Sequence, residues 1–97
     1  MNEFIQIMRF RTDDLDTLTR LSAQYRADTD GRSTFTSEVI GLDADTGEHV
    51  IIVTFPSKEA ADQNNALPET AALAEQMTAL ATDGPSFSNI EVTERAS

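Results

Sequence analysis

Residues 50–61 read Val-Ile-Ile-Val-Thr-Phe-Pro-Ser-Lys-Glu-Ala-Ala, and they are the part of the sequence most informative about its architecture. Its run of β-branched and aromatic residues is typical of a buried strand, and the Pro-Ser pair ends the run. The hydroxyl of Ser57 can cap a helix whose first turn carries Glu59, where a carboxylate is favoured. The segment therefore predicts a strand at residues 49–55 that leads directly into a helix.

Upstream of this joint, the sequence predicts a strand, a helix and a second strand. Residues 4–11 have apolar side chains on both alternation phases, which is typical of an interior strand. Residues 13–28 carry apolar side chains at helical spacing, and residues 34–42 return to an extended pattern. The polar loop at residues 43–48 contains a glycine and predicts a hairpin between the second and third strands.

Downstream of the joint, Pro68 makes one unbroken helix to residue 81 unfavourable, so we expect a break near Leu67 and a second helical piece that begins at Pro68. Gly84 and Pro85 are expected to terminate that piece. Residues 87–93 are apolar on one phase only, which predicts a half-solvated edge strand.

This order of elements predicts one domain over residues 1–97, with an α+β, ferredoxin-like βαββαβ fold. The sheet should have four antiparallel strands, with the first and third strands in its middle, and two helical segments on one face. Helices on one face leave the apolar side chains of the other face in water. Burying that surface would stabilise the protein by about 25 cal/mol per Å² of apolar area. We therefore expect a homodimer packed sheet to sheet.

Composition excludes several classes of partner and site. Seventeen acidic residues against seven basic ones give a net charge of −10, which disfavours nucleic acid and anionic membranes as partners. The chain has no cysteine and one histidine, so we expect no metal site. No stretch has the features of a secretion signal or a membrane span, and we expect a cytoplasmic protein.

Residues 55–70 resemble the signature of the dimeric α/β-barrel superfamily, in particular antibiotic-biosynthesis-monooxygenase-like proteins. Phe55, Ser57, Glu59 and Pro68 fit its spacing, as does the alanine at position 60, whereas Asn64 stands where the family has a histidine. The resemblance implies a pocket between the helices and one sheet face. Its members include cofactor-independent oxygenases of aromatic polyketides, haem-degrading enzymes and isomerase-like proteins. Because an amide cannot replace an imidazole in binding iron, we expect no cofactor.

Several polar residues are candidates for such a pocket. Asn64 lies on the small-residue face of its helix, where it either bonds to a backbone group exposed by the Pro68 break, contacts a ligand or is simply exposed. Tyr25 continues the apolar stripe of the first helix, so its hydroxyl either ends the core or orients a substrate oxygen. Gln6 and Arg9 lie on opposite phases of the first strand, so the pocket face receives one of them. For Arg9 the alternative is an ion pair at the surface or between subunits.

His49 is the obvious acid or base, because its ordinary pKa lies near neutrality, although its place beside a polar loop favours solvation. It shares a strand face with Phe55, which we include among the ligand-contacting residues.

Two functions remain open. One is a cofactor-independent oxygenase, isomerase or cyclase that acts on a small apolar or aromatic molecule. The other is a non-catalytic dimeric binding or accessory protein, and a cavity above about 300 Å³ favours the first.

Overall fold

The computed structural model describes residues 2–96 and contains four strands and three helices. In chain order the elements are β1 (Phe4–Thr12), α1 (Leu15–Asp28), β2 (Ser37–Leu42), β3 (His49–Phe55), α2 (Lys58–Asn65), α3 (Pro68–Leu80) and β4 (Ala81–Glu91). The predicted order and the break near Leu67 are confirmed.

The four strands form one antiparallel sheet in the order β2-β3-β1-β4. β1 and β3 lie in the middle, as their apolar character on both faces predicted, and β4 is an edge. At the centre of the sheet Met8 pairs with Ile51 on one side and with Phe87 on the other. This is the ferredoxin-like α+β fold that the sequence predicts.

The helices begin where the sequence supplies caps. The Asp14 carboxylate accepts a hydrogen bond of 3.1 Å from the Thr17 amide, and the Ser57 hydroxyl accepts one of 3.1 Å from the Ala60 amide. Pro68 occupies the first turn of α3, where the missing amide hydrogen costs nothing. All three helices therefore start at positions that can be read from local sequence.

The core lies between the helices and one face of the sheet, and we call this the helix-covered face. Phe10 is completely buried there beside Leu18, Ile51 and Met77, and Phe55 anchors a second cluster with the alanines at the start of α2. Every second residue of β1 and β3 points to this side.

The opposite face, which we call the open face, carries apolar side chains that no helix or strand within residues 2–96 covers. Ile5, Ile7 and Ile52 are half-buried by their neighbours, while Val39 and Ile90 are 57% and 40% exposed. None of the helices within residues 2–96 has the length and apolar content needed to cross a membrane.

β4 differs from the prediction. It starts at Ala81, so Gly84 and Pro85 lie inside the strand and do not terminate α3. The β1–β4 register is irregular beside Arg9, and Gly84 has φ of +93° there. A Cβ on Gly84 would lie 3.0 Å from the Arg9 carbonyl oxygen. The glycine thus allows the two backbones to approach closely, and pairing with β1 extends the strand.

β2 is shorter than predicted because the chain at residue 34 bonds to α2 and regular pairing with β3 begins only after residue 36. The Thr34 amide donates to the Asn64 side-chain oxygen at 3.3 Å, and the Thr36 amide donates to the Thr54 carbonyl at 2.7 Å. This segment joins the sheet edge to the end of α2, and regular pairing begins at Ser37.

Candidate functional site

A cavity of about 440 Å³ lies between the helices and the helix-covered face of the sheet. Its volume is in the range of small-molecule sites. Side chains of β1, β3 and β4 form most of the sheet wall, and α1, the end of α2 and α3 form the helix wall. The principal lining residues are Gln6, Met8, Ile51, Val53, Phe55, Phe87 and Asn89 from the sheet and Ser22, Tyr25, Asn64, Thr70, Leu73 and Met77 from the helices.

A buried polar cluster forms part of the helix wall. The Asn64 side-chain nitrogen donates to the Tyr25 hydroxyl at 3.1 Å, and the Tyr25 and Thr70 hydroxyl oxygens are 2.7 Å apart. The Thr70 hydroxyl donates to the Asn64 carbonyl at 2.8 Å, and the Thr34 amide donates to the Asn64 side-chain oxygen. Four segments of the chain therefore meet at Asn64, which is only 5% exposed.

The direction of each hydrogen bond in this cluster follows from the available protons. Thr70 gives its single hydroxyl hydrogen to the Asn64 carbonyl, so its oxygen accepts from the Tyr25 hydroxyl. Tyr25 in turn accepts from Asn64. The amide of Asn64 has two N–H groups, and the hydrogen bond to Tyr25 uses one of them. Tyr25 and the Thr34 amide therefore hold the Asn64 side chain in a fixed position in the cavity wall, with one N–H not used by the cluster.

The sheet wall carries a second polar group. Gln6 and Asn89 pair across β1 and β4, and the Gln6 side-chain nitrogen donates to the Asn89 side-chain oxygen at 3.0 Å. Phe87, two residues before Asn89 on the same face, is 62% exposed and lies at the open side of the cavity. Amide groups therefore lie on both walls, and apolar side chains lie between them.

Charge in the cavity is confined to one ion pair. Within the part of the chain that the structure describes, Glu38 is the one charged residue in the lining, and the Arg26 guanidinium bonds to it at 3.1 Å. The Glu38 side chain is 18% exposed, so most of this carboxylate is shielded from water. The cavity wall therefore has no cation for an anionic ligand.

An ion pair outside the cavity supports the cluster. Both terminal nitrogens of Arg32 bond to the Glu69 carboxylate, at 3.2 and 2.5 Å, and Arg32 also bonds to the Asp28 carbonyl. The Arg32 guanidinium lowers the pKa of Glu69, and Glu69 raises the pKa of Arg32. Because Glu69 precedes Thr70, the pair ties the end of α1 to the start of α3 beside Tyr25.

Four of the residues predicted from sequence line the cavity, namely Tyr25, Asn64, Gln6 and Phe55. The Asn64 side chain is not simply exposed: it bonds to a backbone amide, that of Thr34, and it lies in the cavity wall.

Arg9 points to the open face and forms an ion pair with Asp43 at 2.9 Å. The backbone amide of Asp45 and the Arg9 guanidinium lower the pKa of Asp43. His49 packs against Phe10, with ring centroids 5.7 Å apart, and is outside the cavity lining. The structure therefore separates these two residues from the other candidates.

Sequence reasoning missed Thr70, Glu38 and Asn89. Asn89 lies on the phase of β4 that was interpreted as solvated, and only the register opposite Gln6 brings it to the cavity. Thr70 follows Pro68 by two residues, and its position in the first turn of α3 is the one local signal that could have found it. No group of three or more His, Asp or Glu side chains within residues 2–96 is arranged to hold a metal ion.

Solved structures similar to this chain share its fold over nearly the whole length. Rv0793 from Mycobacterium tuberculosis has a TM-score of 0.80 and 23% identity, covering 98% of this chain and 99% of that one. SnoaB, a cofactor-independent oxygenase from Streptomyces nogalater, has a TM-score of 0.78 and 16% identity, and the match covers 98% of this chain and 97% of that one. An antibiotic biosynthesis monooxygenase has a TM-score of 0.71 and 16% identity, and the match covers 97% of this chain and 100% of that one.

The chain has the fold of antibiotic-biosynthesis-monooxygenase-like proteins. No family model matches the sequence, and no curated protein matches it significantly. The resemblance that residues 55–70 carry is therefore confirmed at the level of fold.

Proposed function

We propose that this protein binds a flat, mostly apolar molecule in the helix-sheet cavity and converts it without a cofactor, as an oxygenase or as an isomerase or cyclase of aromatic or polyketide compounds. The observation that carries the proposal is a cavity of about 440 Å³ with the buried amide of Asn64 in its wall. The fold shared with a cofactor-independent oxygenase supports the same class.

The cavity favours a flat apolar ligand because most of its wall is hydrocarbon. Met8, Val53 and Phe55 lie on the sheet side, and Leu73 and Met77 lie opposite them on α3. Burying a ring system between these side chains removes apolar area from water on both of its faces.

The free N–H of Asn64 suits a reaction that develops negative charge on oxygen. Loss of a proton from an activated CH₂ beside a ring carbonyl gives an enolate, and a fixed N–H donor stabilises the enolate oxygen more than the neutral carbonyl. Tyr25 and the Thr34 amide hold the Asn64 side chain in place, so the donor is already oriented before the ligand binds.

One enolate serves both reaction classes. Oxidation by dioxygen turns the CH₂ into a carbonyl, with one oxygen atom entering the product and the other leaving as water. Return of a proton to a different carbon completes an isomerisation. The Glu38 carboxylate is paired with Arg26, so we assign proton removal to water at the open side of the cavity. Because water is a weak base, the substrate must have a CH₂ that ionises readily.

We also propose that the working form is a homodimer in which two open faces pack together. Val39 and Ile90 leave apolar area in water, and the half-buried isoleucines between them extend it across all four strands. A second copy supplies an equally apolar, twisted surface, and covering it would remove both faces from water.

The test uses a hydroxylated anthrone as probe, in chelator-treated buffer. Three signals are followed: binding by titration calorimetry, oxygen uptake, and exchange of the probe's CH₂ hydrogens with deuterated water by NMR. Wild-type protein is expected to bind the probe and to accelerate exchange or oxygen uptake. Asn64→Ala is expected to lose the acceleration, and Gln63→Ala, an exposed amide one residue away, is the control.

Two results would contradict the proposal in different ways. Binding with neither exchange nor oxygen uptake would assign the protein to the non-catalytic binding class, which the pairing of the one carboxylate in the lining, Glu38, with Arg26 favours. Failure of any flat aromatic probe to bind would remove the cavity as the functional site.

A further inference from the structure

The amide pair of Gln6 and Asn89 interrupts the apolar side chains that β1, β3 and β4 place in the cavity wall. On the helix-covered face of β1, Gln6 stands between Phe4, which is buried, and Met8, and it faces Val53 of β3. Purely apolar packing at this position would bury a leucine or methionine more favourably than a glutamine. The side chain bonds to Asn89, and both residues line the cavity.

The pair has unused hydrogen-bonding capacity. Gln6 uses one N–H and Asn89 uses its side-chain oxygen in their mutual bond, which leaves the oxygen and one N–H of Gln6 and both N–H groups of Asn89. These groups can bind a hydroxyl or a carbonyl on a ligand. The helix wall, by contrast, offers the remaining N–H of Asn64.

We infer that the Gln6–Asn89 pair is a second polar anchor, so that the ligand is an uncharged flat molecule with an acceptor oxygen at its Asn64 end and a hydroxyl or carbonyl at the opposite end. The inference rests on the proposed function, because it needs a ligand in this cavity. It adds what the ligand must carry and which residues select it.

The charge distribution excludes an anionic ligand. No Lys or Arg within residues 2–96 lines the cavity; Arg26 bonds to the lining residue Glu38, and the chain as a whole carries a net charge of −10. A carboxylate or phosphate in the cavity would lose its hydration without gaining a cationic partner. The selected molecule is therefore neutral.

A purely structural role for the pair makes a different prediction. If the bond between Gln6 and Asn89 only holds β4 against β1, replacing Gln6 changes stability and leaves ligand preference alone. A role in recognition changes the preference between ligands that differ at one end. The two roles are separated by measuring a ratio of affinities instead of one affinity.

The experiment measures calorimetric affinities of three probes at about pH 6: chromone, a hydroxychromone with its hydroxyl on the ring remote from the carbonyl, and chromone carboxylate. Wild-type protein is expected to bind the hydroxychromone about fivefold to tenfold more tightly than chromone, the effect of one net hydrogen bond. The carboxylate is expected to bind more weakly than either.

Gln6→Leu and Asn89→Leu are each expected to reduce the hydroxyl preference to near unity while chromone affinity is kept. Gln63→Leu, an exposed amide outside the lining, is the matched control. Thermal unfolding verifies that each variant is folded. Because Asn89 is exposed at the sheet edge, its variant tests the inference even if Gln6→Leu fails to fold.

The outcomes separate the inference from the proposed function. Unchanged hydroxyl preference in both variants, or carboxylate binding as tight as that of chromone, overturns the inference and leaves the cavity function standing. Failure of all three probes to bind overturns both.

Discussion

The side-chain nitrogen of Asn64 donates to the hydroxyl oxygen of Tyr25 across 3.1 Å, and this bond joins the last turn of α2 to the last turn of α1. Both side chains are buried, with exposures of 5% and 8%. Thr70 completes the arrangement by accepting from Tyr25 and donating to the Asn64 backbone. Polar groups that are buried and paired in this way fix the wall of the cavity in one geometry.

Removing the Tyr25 hydroxyl should destabilise the fold. In Tyr25→Phe, the Asn64 N–H and the Thr70 oxygen each lose a partner, and we expect the free energy of unfolding to fall by about 1–3 kcal/mol. Urea denaturation measures this change. A loss below about 0.5 kcal/mol, the range of an ordinary surface substitution, would show that water replaces the hydroxyl.

Two threonines of α3 provide a matched comparison. The hydroxyls of Thr70 and Thr78 each donate to a backbone carbonyl at 2.8 Å, but Thr78 is exposed and has no part in the cluster. We expect Thr70→Val to lower the free energy of unfolding by about 1–2 kcal/mol and Thr78→Val to change it by less than about 0.5 kcal/mol. Equal effects in urea denaturation would mean that the Tyr25 contact adds nothing.

Neighbouring residues of β2 test the homodimer. Val39 and Ile40 are 57% and 45% exposed and point to opposite faces of the sheet, Val39 to the open face. Val39→Glu should weaken self-association by at least about tenfold, since it places a carboxylate in an apolar interface, whereas Ile40→Glu should leave it unchanged. Analytical ultracentrifugation at micromolar concentration reports both, and a wild-type monomer there would contradict the dimer.

The ion pair between Arg32 and Glu69 predicts a loss of stability in acid. The folded state lowers the pKa of Glu69, chiefly through the hydrogen bond from Arg32, so the folded protein binds this proton less readily than the unfolded chain. Its contribution is therefore present above the ordinary glutamate pKa of about 4.3 and is lost as the pH falls through the lower folded value. The melting temperature, measured at a series of pH values from neutral to acid, should fall as Glu69 becomes protonated.

Glu69→Gln is the control for that measurement. It removes the titrating group, so the difference in melting temperature between wild type and variant should shrink as the pH falls below about 4. A difference that stays constant across the range would mean that Glu69 does not contribute through its charge.

Gly84 tests the close approach of β4 to β1. With φ of +93° and a Cβ position 3.0 Å from the Arg9 carbonyl oxygen, Gly84→Ala adds backbone strain and a steric contact. We expect it to lower the free energy of unfolding by about 1–3 kcal/mol. Gly41, whose Cβ would meet nothing within 4 Å, is the control position, and equal effects of the two alanine substitutions would contradict this account.

The amino-acid sequence was sufficient to predict the order of elements, the two central strands and the starts of the helices. These features follow from local signals: alternation in residues 4–11 and 49–55, the side-chain caps at Asp14 and Ser57, and the proline that separates α2 from α3. It also placed Asn64 and Tyr25 on inward faces, because helical spacing fixes which side of a helix is buried.

Which residues share the cavity depends on the tertiary structure. Gln6 and Asn89 are 83 residues apart and meet through the register of β1 with β4. Arg9 lies on the open face because the helices pack on the Gln6 side of β1. Thr70 reaches Tyr25 because α3 packs against α1. Such contacts depend on strand register and helix packing between distant segments, and no local periodicity encodes them.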